Sequence, residues 1–269
     1  EIVSRDWSSD VCSSDLHETA LDPAPLGERL LSIFEHVFIV NLEFRTDRRR
    51  EMEEQLGLIG LSLEHPRITL FPAVRPEDPE PWPSIGARGC FMSHLLILRE
   101  AKAMGLGSVL ILEDDLDWSR SFLSGGAAML DCLEGTSWAF VHGGYEDTGS
   151  EGAGSGSAGL NPVLPETGLQ MTHFIGLNGI IAPVEAYLTA MTERPAGDPQ
   201  GGPMHVDGAY SWFRKDTPDA RAWIFEPAIG VQRASRTDIA DPKWFDRVPV
   251  LSAIVGLLRR LKNARAGRR

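Results

Sequence analysis

The chain reads as an α/β domain built on strand–helix–strand units, and three stretches predict it. Val37–Leu42 and Val109–Leu112 are short apolar runs with β-branched residues, the composition of buried strands. Between them, Cys90–Met104 is a helical segment whose apolar side is Leu95, Leu98 and Ala101, broadened by Phe91 and Leu96. Ile68–Ala73 is a further short strand before that helix. Strands alternating with helices in this way point to a mostly parallel central sheet.

The elements follow in order. Residues 1–16 are polar, Ser/Asp-rich and aperiodic, and they resemble a sequence-assembly artefact; they are read as an artefactual or disordered leader. Residues 17–35 form an N-terminal extension and 36–249 the main domain. Arg45–Leu56 is helical, with Asp47 placed to cap or open it. Arg75–Ser84 holds four prolines and is a loop. Gly86-Ala87-Arg88-Gly89 leads into the Cys90–Met104 helix, which Gly105 and Gly107 stop. Phe122–Leu133 predicts a helix, Trp138–His142 a strand, and glycine-rich Thr148–Gly159 a surface loop acting as tether or lid. His173–Ile181 is strand-like, and Pro183 opens a short helix to Met191. Val206–Arg214 starts a helix with Asp207 as cap, and Ala222–Phe225 is a late strand closed by Pro227.

A chain of 269 residues can bury one large core or two small ones. Hydrophobic content of 42% and charged content of 24% fit a soluble globular protein. The net charge of −12 argues against nucleic acid as a partner. Residues 251–269 carry +6, so the remaining chain carries −18. The segment 250–269, apolar first and basic after, is expected either to lie as a helix on an anionic membrane surface or to pack on the domain with a disordered basic end. Three cysteines without zinc spacing fit a reducing compartment, hence a cytoplasmic location. There is no Walker-type lysine loop to support an ATP site.

The most telling stretch is Val109–Asp115, where four apolar residues run into Glu113, Asp114 and Asp115. Clustered carboxylates repel one another, so they suit a divalent cation facing a phosphorylated substrate. The alternative is an acidic loop facing solvent. Strand alternation would place Glu113 and Asp115 on one side and Asp114 on the other, provided the strand persists.

Val37–Leu56, Ile85–Ala101, Val109–Asp115, and the late pair His205–Phe213 and Phe225–Ile239 together resemble glycosyltransferase family 25, the lipooligosaccharide and lipopolysaccharide galactosyltransferases, and also collagen galactosyltransferase domains. The resemblance covers roughly residues 36–240. It implies a GT-A-like α/β/α nucleotide-sugar domain. It also implies inverting transfer of a sugar, typically galactose, from a UDP-sugar to a saccharide hydroxyl of lipopolysaccharide or a related glycan or glycolipid, at the inner face of a bacterial cytoplasmic membrane. The chain has Glu-Asp-Asp where metal-using GT-A enzymes commonly have Asp-x-Asp, and Gly144–Gln170 has no counterpart.

With that resemblance, Glu113, Asp115 and His205 are the candidate ligands of Mn²⁺ or Mg²⁺. Asn41, Arg45, Arg48, Ser93, His94, Glu113 and Asp114 are the candidate contacts to the donor. Arg45 and Arg48 follow the first strand, at the sheet end where ligands bind, and an arginine fork suits phosphate or uracil oxygens. A solvated face paired with Glu51, Glu53 and Glu54 is the alternative. His94 either serves the site or is a satisfied core histidine, and Cys90 is read as packing. Asp207 is the candidate general base, with Glu226 as a second carboxylate. Other readings are an Mg²⁺-dependent phosphate-handling hydrolase or nucleotidyltransferase, and a catalytically inactive glycan-binding domain.

Overall fold

The computed structural model describes residues 25–147 and 159–233. The chain order is α1 (Leu26–Ile33), β1 (His36–Asn41), α2 (Thr46–Leu58), β2 (Ile68–Pro72), α3 (Ile85–Ala103), β3 (Ser108–Glu113), β4 (Leu116–Trp118), α4 (Arg120–Glu134), β5 (Phe140–Asp147), β6 (Gly159–Val163), β7 (Leu169–Asn178), α5 (Ile181–Thr192), α6 (Val206–Asp216), β8 (Ala222–Glu226) and β9 (Gly230–Gln232). The leader 1–16, the tail 250–269 and nearly all of the glycine-rich loop lie outside the described residues.

Seven strands form one sheet in the order β2-β1-β3-β7-β5-β8-β6, and β4 pairs with β9 in a small ribbon. β1 pairs in parallel with β2 and β3, and β5 with β8, so the expected strand–helix–strand units are present. The expected mostly parallel sheet is nevertheless mixed. β7 runs antiparallel between β3 and β5, and β6 runs antiparallel to β8 at the edge. Among the described residues no helix lies between β5 and β7, and antiparallel pairing needs no crossover helix.

Strand alternation sorts the core into two layers. Phe38, Ile111, Ile175 and Phe140 face Phe91, Leu95 and Leu98 of α3 with Leu188 of α5 and Tyr210 of α6. Ile39, Leu112 and Phe174 face Leu30 of α1, Met52 of α2 and Phe122 of α4. The result is a three-layer α/β/α sandwich. Leu95, Leu98 and Ala101 are buried as expected, whereas Leu96 stands 36% exposed, so the apolar side of α3 is narrower than expected. Among the described residues, no helix is long and apolar enough to cross a membrane.

Two boundaries move for identifiable reasons. α3 begins at Ile85 rather than Cys90, because the Ser84 hydroxyl accepts the Ala87 amide at 3.0 Å and caps it. Gly89 then sits inside the helix, where a Cβ would meet the Val74 carbonyl oxygen at 2.6 Å. Pro183 lies within the first turn of α5, a place that tolerates its missing amide, rather than opening it.

Candidate functional site

β1, β3, β5 and β8 point the same way, so their carboxyl ends gather at one edge with the amino end of antiparallel β7. Crevices outside such ends are where α/β sheets bind ligands. Glu113 is the last residue of β3, opposite Val40. The expected alternation stops there, since Asp114 and Asp115 lie in the turn to β4 and not in the strand. Asp114 accepts from Asn41 Nδ2 at 2.6 Å through Oδ2 and from the Arg48 guanidinium at 2.6 Å through Oδ1. The same Arg48 nitrogen lies 3.3 Å from Asp115 Oδ2, so both aspartates face one cation instead of opposite sides. Asp115 Oδ2 also receives Gln232 Nε2 at 3.4 Å, while its Oδ1 is buried without a hydrogen-bond partner.

Glu113 turns toward α3. Cys90 and His94 share a face of that helix one turn apart. Cys90 Sγ lies 3.7 Å from Glu113 Oε1, and a ligand atom from each of the three falls within 4.8 Å of the others. His94 Nδ1 meets the Tyr210 hydroxyl at 3.0 Å, and its buried Nε2 has no partner. Burial pushes the His94 imidazole down to about 4, so it is neutral. Burial, followed by the charges of Asp115, Asp207 and Asp114, raises Glu113 well above the ordinary carboxylate range despite Arg48. Burial and the neighbouring Glu113 likewise raise the Cys90 thiol, which therefore stays protonated. Asp115 is raised mainly by burial and partly held down by Arg48.

Asp207 sits in the first turn of α6 and is not its cap; that position falls to His205, whose side chain makes no capping bond. Asp207 instead accepts a hydrogen bond from Thr172 of β7, and its charge reaches Glu113, Cys90 and Tyr210. Beside it opens a cleft of about 700 Å³ lined by His205, Asp207, Ser211, Trp212 and Gln170. His205 is exposed on this cleft and lies outside the Cys90–His94–Glu113 group, as does Asp115.

The remaining candidates stand apart. Arg45 is buried against Asp47, with both guanidinium bonds at 2.9 Å. Ser93 ties α3 to the loop before it, donating to the Gly89 carbonyl at 2.7 Å and accepting the Val74 amide at 2.8 Å. Glu226 ends β8, where Asn161 Nδ2 donates to it at 3.1 Å, and β7 and β5 separate its strand from β3. Sequence reasoning missed Thr172, Tyr210, Gln232 and Arg233. Arg233 donates its amide to the Asp115 carbonyl at 2.6 Å and its guanidinium to Glu51 at 2.7 Å and to Asp117. Gln232 and Arg233 fall inside the closing segment Phe225–Ile239, which was the available signal.

A divalent cation suits this donor set. Cys90, His94 and Glu113 bring their ligand atoms together, His94 Nε2 is buried without a hydrogen-bond partner, Asp115 Oδ1 outside that group is likewise unpartnered, and carboxylate and imidazole both ligate divalent ions.

No protein-family model matches the chain. Over 125 residues it is 31% identical to a glycosyltransferase 25 family member of Drosophila pseudoobscura pseudoobscura, covering 39% of this chain and 19% of that protein. Over 108 residues it is 32% identical to one from Anopheles gambiae, covering 32% and 17%. The chain is a distant homologue of the glycosyltransferase 25 family. Another homologue in this family, over 138 residues at 27% identity, is human inactive glycosyltransferase 25 family member 3, with 44% of this chain and 23% of that protein covered. The chain thus spans only about a fifth of the length of the family members it matches. Among solved structures, a glycosyltransferase involved in glycosylation of the major capsid of PBCV-1 aligns with a TM-score of 0.43 at 11% identity, covering 75% of this chain and 93% of that one. A197 from STIV aligns at 0.31 and 10% identity, covering 77% and 97%.

Proposed function

We propose that this chain is an inverting glycosyltransferase of GT-A type that moves a sugar, galactose foremost, from a UDP-sugar to a saccharide hydroxyl of a lipopolysaccharide or related glycan. The observation that carries the reading is the convergence of Glu113, Asp114, Asp115 and Asp207 at one sheet edge, with Arg48 beside the first three. Distant homology to a glycosyltransferase family supports it. Glu113 and Asp115 would hold Mn²⁺ or Mg²⁺, with His94 or His205 as a nitrogen ligand. Such an ion supplies Lewis-acid neutralisation of the leaving diphosphate. Asn41 and Arg48 hold Asp114 in place, and Arg48 would offer its guanidinium to a phosphate oxygen of the donor. Asp207, aligned by Thr172 and open to the cleft, takes the acceptor hydroxyl proton as that oxygen displaces the diphosphate from the anomeric carbon.

The test is Mn²⁺-dependent binding and turnover of UDP-galactose against a panel of nucleotide sugars, with Asp115→Asn and Asp207→Asn beside the wild type. The expected result is donor binding lost in Asp115→Asn and kept in Asp207→Asn, with transfer lost in both. Indifference of the wild type to both divalent ions and nucleotide sugars refutes the reading. A second reading, a glycan-binding domain without catalysis, draws on the inactive members among the matched relatives. It expects glycan binding with no metal-dependent release of UDP.

A further inference from the structure

Arg214 of α6 is among the largest fully buried side chains, with 1% of its surface exposed. One terminal nitrogen donates to the Thr167 carbonyl at 2.6 Å and to Ser211 Oγ at 3.1 Å. Its Nε and other terminal nitrogen are buried and have no acceptor, and no carboxylate among the described residues pairs with it. A guanidinium removed from water without an anion is costly, and the cost is large when no charge partner compensates it. Burial lowers this arginine only to about 10, so it stays charged. Nearby, His142 is buried with neither ring nitrogen partnered, and its imidazole is pushed down by burial and by Arg214, so it supplies no negative charge.

Arg214 lines a cavity of about 290 Å³ with Pro162, Leu164, Pro218, Arg221 and Trp223. Apart from the two arginines, this wall is apolar. The cavity lies at the amino end of β8, where Ala222 pairs with Phe140 and Val163, so it opens on the sheet edge opposite Glu113. Its lining differs from that of the cleft beside Asp207 except at Pro165, and Arg214 reaches Ser211 on that cleft's wall.

We propose that this cavity is a second binding site, for an amphipathic organic anion whose carboxylate or phosphate head meets Arg214 and whose apolar body lies along the prolines and Trp223. Its size suits a ligand at the lower end of small-molecule sites. The head answers a buried cation that has no carboxylate partner among the described residues, and the body accounts for an apolar wall that an inorganic anion would not need.

Calorimetric titration of the whole chain with octanoate, octyl phosphate, octanol and inorganic phosphate tests it. At least one of the two amphipathic anions is expected to bind at a single site, about tenfold or more tighter than octanol or inorganic phosphate. Octanoate alone identifies a carboxylate head, and octyl phosphate alone a phosphate monoester. Arg214→Met should bring the anions down to the octanol level. Leu164→Asp, on a rim position that is 50% exposed, should weaken the anions several-fold more than it weakens octanol, which keeps the test decisive if Arg214→Met does not fold. Equal affinity for octanol and octanoate, equal affinity for octyl phosphate and inorganic phosphate, no binding by any of the four, or an anion preference untouched by Leu164→Asp overturns the proposal.

Discussion

Replacing Arg48 by methionine isolates the electrostatics of the acidic edge. The Arg48 guanidinium lies 2.6 Å from Asp114 and 3.3 Å from Asp115, and the three side chains are 16%, 7% and 7% exposed. Removing one partner of a buried pair costs roughly 3–5 kcal/mol, because the other charge stays behind. Asn41 still donates to Asp114, so the lower end applies and about 3 kcal/mol is expected at pH 8 without divalent ions. The sign of the pH dependence follows from the raised carboxyls. Glu113 and Asp115 already bind protons more tightly in the folded state, Arg48 restrains that rise, and its loss lifts them further. The variant's penalty therefore sets in as pH climbs above the ordinary carboxylate range and shrinks as pH falls back toward it. Urea denaturation at both ends of that window, with chelator and with Mn²⁺, measures it. Mn²⁺ should restore more stability to the variant than to the wild type, because the ion replaces the missing positive charge. A loss below about 1 kcal/mol, or one that is equal at both pH values, refutes the reasoning.

Three further outcomes are expected. His94 has a folded value near 4 against an ordinary 6.5, so its contribution is whole above 6.5 and is lost as pH falls toward 4. That amounts to about 3 kcal/mol, and His94→Gln should flatten this acid limb in denaturation curves. Tyr210→Phe strands the buried His94 Nδ1 and should cost about 1–3 kcal/mol by the same assay, while the ring packing against Phe140 is kept. Gly176→Ala would place a Cβ 2.4 Å from Phe34 Cε1 and 2.7 Å from Val141 Cγ1, and should lower stability by about 1–3 kcal/mol in thermal melts.

The first half of the fold was legible because its elements carry strong local signals. Val37–Leu42 and Val109–Leu112 are apolar and β-branched, and Leu95, Leu98 and Ala101 keep helical spacing, so β1, β3 and α3 fall where periodicity places them. β6 was not legible, since Gly159 and Pro162 read as loop residues; Pro162 is tolerated because β6 is an edge strand. β7 begins at Leu169, before the His173 start that periodicity suggested. Its position between β3 and β5 is set by sheet pairing, which no local pattern encodes. The site shows the same division. The carboxylate run was plain in the sequence, but where each side chain points depended on the strand stopping at Glu113. Cys90 reads as packing, and only the fold brings its thiol to Glu113. Thr172 and Arg233 reach the site through long-range contacts with Asp207 and Asp115 that spacing alone does not reveal.

The place of β7 has a consequence for synthesis. On a ribosome, β3 and β5 emerge first and wait for a strand that must slot between them, and each meanwhile displays an open hydrogen-bonding margin flanked by apolar residues. Newly made chains halted before residue 169 should therefore be sticky and chaperone-dependent. Completing that strand also delivers Thr172, the residue that later aligns Asp207, while β8 has still to slot between β5 and β6 before the sheet is whole.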